Sequence, residues 1–319
     1  MAFAQVSYCA GGSVFPMTSS YASAQRPFGR ILTAMVTPFR SDGELDLDSA
    51  QKLANHLVDN GNDGLVVSGT TGESPTMNPD EDGRLLAAVL EAVGDRATVV
   101  AGVGNNDTQA SSRLARQAKS AGAHGLLLVS PYYNKPPQAG LVRHFAEVTE
   151  AGDDVPVLLY DIPGRAGVRI SHDTYEEVAK DSRIVGVKDA VGDLASGAWV
   201  MDECGLALYS GDDALNLAWL AVGAAGMVST CGHVGARKYA EMADAIDKGD
   251  LATARRVNFE MLPVVSTIMD PVTQGAIMCK AALELKGLHP NRRVRSPLVD
   301  ATDTQVETLR GVLSEAGLL

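Results

Sequence analysis

The stretch Gly61-Asn62-Asp63-Gly64-Leu65-Val66-Val67-Ser68 decides how this chain is read. It ends one element and begins another. The first glycine suits the left-handed cap that closes a helix, and the second lets the backbone turn tightly into an extended segment. The run that follows, Leu65–Ser68, is apolar without alternation, as expected of a strand buried on both faces of a parallel sheet. The same Gly-x-x-Gly-apolar pattern returns at Gly122-Ala123-His124-Gly125-Leu126 and at Gly223-Ala224-Ala225-Gly226-Met227. A repeated helix-to-strand junction predicts a repeated (βα) unit.

Runs of the same kind complete the series. They are Ile31–Thr37, Thr98–Val103, Leu126–Ser130, Val155–Tyr160, Ile184–Lys188, Leu206–Ser210 and Met227–Thr230. Helical patterns fill the gaps, as parallel strands require. Asp48–Asn60 places Leu53, Leu57 and Val58 on one face. Asn78-Pro79 reads as an N-cap followed by proline at the first helical position, with Leu85, Leu86, Val89 and Val93 at helical spacing after it. The pattern predicts an α/β fold, a (β/α)8 TIM barrel over 27–247, with a C-terminal helical region over 248–319. Thr302-Asp303-Thr304-Gln305 is a capping box that opens the last helix. A doubly wound open sheet is the alternative, and no Gly-x-Gly-x-x-Gly follows the first strand to support it.

Composition narrows the class. The 319 residues include 27 Lys+Arg against 39 Asp+Glu, a net charge of −12, which disfavours nucleic-acid and anionic-membrane partners. No apolar run approaches a membrane span. Cys9, Cys204, Cys231 and Cys279 are widely spaced and form no CxxC pair, so they read as reduced thiols in a cytoplasmic protein. Residues 1–26 carry no charge before Arg26, are rich in Ala, Ser and Gly, and read as a flexible N-terminal tail, with Met17 a possible natural start.

In such a barrel, reactive groups come from the carboxyl ends of the strands. Here those ends carry Gly69-Thr70-Thr71-Gly72-Glu73-Ser74, Pro131-Tyr132-Tyr133-Asn134, Tyr160-Asp161-Ile162-Pro163-Gly164-Arg165, Lys188-Asp189 and Ser210-Gly211-Asp212-Asp213. Lys188 closes the otherwise uncharged strand Ile184-Val185-Gly186-Val187. Burial lowers a lysine's pKa, so a neutral amine becomes available to attack a carbonyl. The plainer reading is a lysine that reaches solvent or pairs with Asp189. The backbone N–H groups and hydroxyls of Gly69–Ser74 suit a carboxylate, and the segment also reads as an ordinary loop. Tyr133 and Tyr160 suit proton transfer or rim packing. Arg165 suits a carboxylate fork or a surface position. Asp212-Asp213 suits a helix N-terminus more than a cation. The six histidines show no metal-ligand spacing and read mostly as helix-surface and loop residues.

The five strand-end segments, in order, resemble the 4-hydroxy-tetrahydrodipicolinate synthase (dihydrodipicolinate synthase) family of the pyruvate-dependent class I aldolases, from about Arg26 to the C-terminus. The resemblance implies a cytoplasmic lyase of lysine and diaminopimelate biosynthesis. It would condense pyruvate with L-aspartate-4-semialdehyde and need no metal or organic cofactor, the imine being the electron sink. By the same resemblance Lys188 forms the Schiff base. Thr70, Tyr133 and Tyr160 form a proton relay. Thr71 contacts the pyruvate carboxylate, Arg165 steers the semialdehyde carboxylate, and Gly211 and Val228 wall the pocket. The family pattern also implies a homotetramer, a dimer of dimers, with Tyr133 crossing into a neighbour's site. Members inhibited by lysine carry histidines and a glutamate where this chain has Pro79, Asp82 and Ala110, while Ser74, Asn106 and Tyr132 are retained; weak or absent lysine feedback is therefore expected. Two other readings compete. One is a sibling aldolase of the N-acetylneuraminate lyase or 2-keto-3-deoxy sugar-acid type, and the other is a non-catalytic barrel that binds keto acids.

Overall fold

The computed structural model of the chain describes residues 25–319. The proposed tail and Met17 therefore lie outside the described residues, apart from Gln25 and Arg26. Arg26 donates to the Asp247 carboxylate at 2.6 and 3.0 Å.

The eight strands are β1 (Ile31–Ala34), β2 (Gly64–Val67), β3 (Thr98–Gly102), β4 (Gly125–Val129), β5 (Val157–Asp161), β6 (Ile184–Asp189), β7 (Ala207–Ser210) and β8 (Gly226–Ser229). They pair in parallel in sequence order, and β8 closes on β1. The connecting helices are α1 (Leu47–Asp59), α2 (Pro79–Val93), α3 (Thr108–Ala121), α4 (Gln138–Ala151), the single turn α5 (Pro163–Ala166), α6 (His172–Val178), α7 (Leu194–Cys204), α8 (Asn216–Ala221) and α9 (Gly232–Asp247). After the barrel come α10 (Leu251–Ile268), α11 (Gly275–Leu285) and α12 (Asp303–Glu315). The fold is a TIM barrel with C-terminal helices.

Local chemistry explains the element ends. Gly61, Gly122 and Gly223 have φ of 98°, 84° and 103°, the left-handed region their repeat predicts. Each second glycine enters its strand against a close neighbour: a Cβ on Gly226 would sit 2.1 Å from the Arg30 carbonyl oxygen. Asn78 and Thr302 cap α2 and α12 through complete capping boxes. Helix α1 begins one residue before the sequence pattern placed it, because Asp46 accepts the Ser49 N–H at 3.0 Å.

Two strands fall short of one end of their apolar runs by two residues or more. β5 starts at Val157 because Pro156 has no N–H to give; its carbonyl still accepts from Leu126 at 2.9 Å. β1 stops at Ala34. Met35 makes one more ladder contact to Val66, but the Val36 N–H turns away to His233 Nε2 at 3.0 Å. The Thr37 hydroxyl then reaches the Gly72 carbonyl at 2.6 Å.

The core has two parts, set by the alternation of strand side chains. Leu32, Val66, Val100, Leu127, Leu158 and Tyr209 fill the barrel interior, with Phe28 at its lower end. Leu65, Val99, Leu126, Leu159 and Val187 face outward to the helices.

Candidate active site

The alternation that builds the core also aims the site. Val187 packs outward, so Lys188, the next residue on β6, faces the barrel interior. On β5, Leu159 packs outward and Tyr160 inward. Tyr160 and Lys188 are register partners across the two strands. The Lys188 amine lies 4.3 Å from the centre of the Tyr160 ring. Both are buried, at 6% and 4% exposure.

Asp161 and Asp189, the residues after them, are also register partners but lie on the other face. Asp189 therefore does not pair with Lys188. Its carboxylate accepts from Val191 and Gly192 N–H groups at 3.0 and 2.9 Å and shapes the loop after β6. Asp161 does the same after β5, accepting from Ile170 N–H and the Tyr175 hydroxyl, both at 3.2 Å. Burial, helped by the nearby Asp189 charge, pushes Asp161 up to about 7.

Burial pulls the Lys188 amine down to about 8, against the attraction of Asp213 and with the repulsion of Arg165. Burial pushes the Tyr160 phenol up to about 12, only partly offset by the Arg165 guanidinium and the Thr70 hydroxyl. So Thr70, Tyr160, Arg165 and Lys188 feel one another at one mouth. Arg165 gets there on α5, the single turn after β5, where it is exposed. Thr71 turns toward β8, its hydroxyl 3.3 Å from that of Thr230. Gly211 lies against the lysine stem, where a Cβ would sit 3.1 Å from Lys188 Cε and 2.7 Å from the Asp189 carbonyl oxygen. Val228 is buried in the interior cluster.

Tyr133 is not drawn into this cluster within the single chain. It sits at a left-handed φ of 73° and is 88% exposed.

Several sequence expectations need correction. Asp212 caps a helical turn, accepting the Ala214 N–H at 3.0 Å, but Asp213 does not. It is buried and accepts from Thr230 N–H and Cys231 N–H, each at 2.9 Å, from Asn216 at 3.0 Å, and from the Ser229 hydroxyl. It holds the end of β8, including Thr230, and is the anion nearest in effect to Lys188. Its signals were its place after the seventh strand and its pairing with Asp212, and a helix end explains such a pair equally well. Thr230 had only its place at the end of the eighth apolar run.

Four of the six histidines do lie on helix surfaces or in loops, His56 and His172 on helices and His124 and His289 in loops, but burial is commoner than expected. His144, His233 and His289 are buried. Burial pushes His144 and His233 down to about 4, so both stay neutral. His233 accepts from Val36 through Nε2, which leaves its Nδ1 to donate to the Thr230 carbonyl at 2.7 Å. Its work is to hold two strand ends. Among the described residues no cluster of His, Cys, Asp and Glu is arranged to hold a metal ion, and no helix is long and apolar enough to cross a membrane. Cys204, Cys231 and Cys279 are free thiols.

The sequence profile of the Dihydrodipicolinate synthetase family matches residues 27–316. The chain belongs to this family. It is 56% identical over 301 residues to the 4-hydroxy-tetrahydrodipicolinate synthase of Kineococcus radiotolerans, covering 94% of this chain and 97% of that one. Among solved structures, the Cyanidioschyzon merolae synthase with lysine bound superposes with a TM-score of 0.88 at 37% identity, covering 92% of this chain and 100% of that one. The chloride-inhibited Acinetobacter baumannii synthase complexed with pyruvate gives 0.85 at 33% identity, with coverage of 92% and 100%.

Proposed function

We propose that this enzyme is a 4-hydroxy-tetrahydrodipicolinate synthase, a Schiff-base lyase that condenses pyruvate with L-aspartate-4-semialdehyde in lysine and diaminopimelate biosynthesis. One observation carries the reading. A buried amine, held partly neutral at about 8, sits beside a buried phenol at the open end of a barrel. The likeness to a synthase complexed with pyruvate supports the first substrate.

The chemistry follows from those groups. The neutral Lys188 amine attacks C2 of pyruvate, and water leaves to give a cationic imine. That cation withdraws electrons, so a proton leaves the adjacent methyl group and an enamine forms. The enamine carbon attacks the semialdehyde carbon, whose oxygen takes a proton. The semialdehyde's own amine then displaces Lys188 from the imine carbon and closes the ring. Tyr160 moves the protons, passing them through Thr70. Its high pKa suits it to hold a proton until a stronger base forms beside it. Thr71 and the N–H groups of its turn take the pyruvate carboxylate, and Arg165 takes that of the semialdehyde. Gly211 and Val228 wall the pocket. Tyr133, exposed in one copy, completes the relay of a neighbouring copy in a homotetramer built from tight dimers. The enzyme works in the cytoplasm.

The sign of the pH dependence follows from Lys188. Only the neutral amine attacks, and the fold lowers its pKa to about 8. Below that value kcat/KM for pyruvate is expected to rise about tenfold per pH unit, and above it to level off. Tyr160, at about 12, adds no falling limb in this range. A profile that is flat from pH 6 upward would contradict a titrating amine of about 8.

Turnover is expected to fall little or not at all in millimolar lysine. Pro79 opens α2, Ala110 is half-buried on α3, and Asp82 is turned toward Ser68, with burial pushing its carboxyl up to about 6. None of the three offers the imidazole or free carboxylate of lysine-sensitive members. Strong inhibition would overturn this.

A sibling sugar-acid aldolase would share Lys188 and Tyr160. Arg165 at the mouth favours an amino-acid substrate, whose carboxylate needs a cation. Incubation with pyruvate and either the semialdehyde or sugar aldehydes separates the two. A non-catalytic keto-acid binder would have no use for a desolvated amine.

A further inference from the structure

Glu73 has no part in the chemistry above, yet it is built into the turn that carries Thr70 and Thr71. It is 2% exposed and sits at φ 59°, a left-handed conformation that a residue with a side chain adopts at a cost. Its N–H donates to the Thr70 carbonyl at 3.1 Å, so a displacement of Glu73 moves Thr70 directly.

What holds Glu73 comes from the other end of the chain. Lys280, on α11, donates to one carboxylate oxygen, and the two side chains are 0% and 1% exposed. The Arg295 N–H donates to the other oxygen at 2.8 Å. Lys280 also donates to the Arg293 carbonyl at 2.8 Å and lies 4.2 Å from the centre of the Phe39 ring. The Arg295 guanidinium lies 4.2 Å from the same ring and forks onto Glu81 at 2.6 and 2.9 Å. Glu81 in turn closes the capping box of α2. The C-terminal region thus grips the segment from Glu73 to Glu81 at both ends.

A buried ion pair adds little net stability over a well-packed apolar pair of the same size. It does fix a geometry, because both charges must be satisfied where they stand. Lys188 is across the barrel and needs no such help.

We infer that Glu73, Lys280 and Arg295 form a positioning clamp. Through it the C-terminal helical region sets the 69–74 turn, so that Thr70 faces Tyr160 and Thr71 is placed for the substrate carboxylate. The kinetic consequence rests on the Schiff-base reading; the mechanical one does not.

The test compares purified wild type with Lys280→Met and with the double variant Lys280→Met/Glu73→Gln. The single variant leaves the Glu73 carboxylate buried without its cation. The double variant removes both charges and keeps an oxygen for the Arg295 N–H. Amide exchange across 69–77 is expected to be about tenfold faster or more in Lys280→Met, with 157–161 unchanged. Its KM for pyruvate is expected to rise about tenfold to a hundredfold, as for a small misplacement transmitted from afar, while borohydride capture at saturating pyruvate changes less. The double variant should fold like wild type and show the same two effects at smaller size, and it decides the matter if the single variant does not fold. If the folded variants keep turn exchange and pyruvate KM within about twofold of wild type, whatever their melting temperatures, the clamp is wrong. If wild type itself captures no pyruvate, the Schiff-base reading falls, and the exchange measurement still decides the clamp.

Discussion

Lys188→Ala is expected to lower turnover by about four orders of magnitude or more, since no other group can form the imine. The methyl protons of pyruvate are weakly acidic until the adjacent carbon becomes a cationic imine. Removing the amine removes that electron sink, and the hydroxyls of Thr70 and Tyr160 have nothing to act on. The fold should survive. Lys188 lies at the end of β6, and its strand ladder to β5 and β7 is made by backbone. Its desolvated amine is a cost to the folded state that alanine relieves. Melting is therefore expected to be no lower than that of wild type. The decisive reading is mass. Borohydride added with pyruvate should attach reduced pyruvate to the peptide holding Lys188 in wild type and attach nothing in the variant. An active Lys188→Ala enzyme would end the mechanism.

Tyr160→Phe comes second in size, with turnover expected to fall about 10²- to 10⁴-fold, the range for removing a positioned acid–base group. Phenylalanine keeps the ring that packs 4.3 Å from the Lys188 amine, so the change isolates the hydroxyl. Imine formation needs mainly a neutral amine, and water can supply protons to it. The later steps, loss of the methyl proton and protonation of the aldehyde oxygen, depend on a group held in place. Pyruvate capture should therefore fall less than turnover. Equal losses in the two assays would count against Tyr160 as the proton carrier and favour a packing role.

Most of the barrel was legible because its strands are buried on both faces. That burial leaves uninterrupted apolar runs, and three of the helix-to-strand junctions repeat the glycines that a left-handed cap and a close backbone approach require. The errors came where tertiary contacts redirect single backbone groups. β1 loses the Val36 N–H to His233, a partner 197 residues away. β5 loses its first two expected residues to a proline. Among the site residues, Lys188 and Tyr160 could be found from their position at strand ends together with their chemistry. Asp213 and Thr230 also lie at strand ends, but their roles could not be found. Their place in the site depends on which neighbour their side chains meet, and a helix cap or a loop hydroxyl accounts for the same letters.

The amino-acid order alone determined the βα repeat, the strand ends that carry chemistry and the family segments on them, because all of these are local in the chain. The tertiary structure alone decided that Lys188 faces Tyr160 and not Asp189, because facing is a matter of register between strands 28 residues apart. It alone also joined Glu73 to Lys280, 207 residues away, because two opposite charges taken out of water together need each other and nothing in the spacing of either announces the partner.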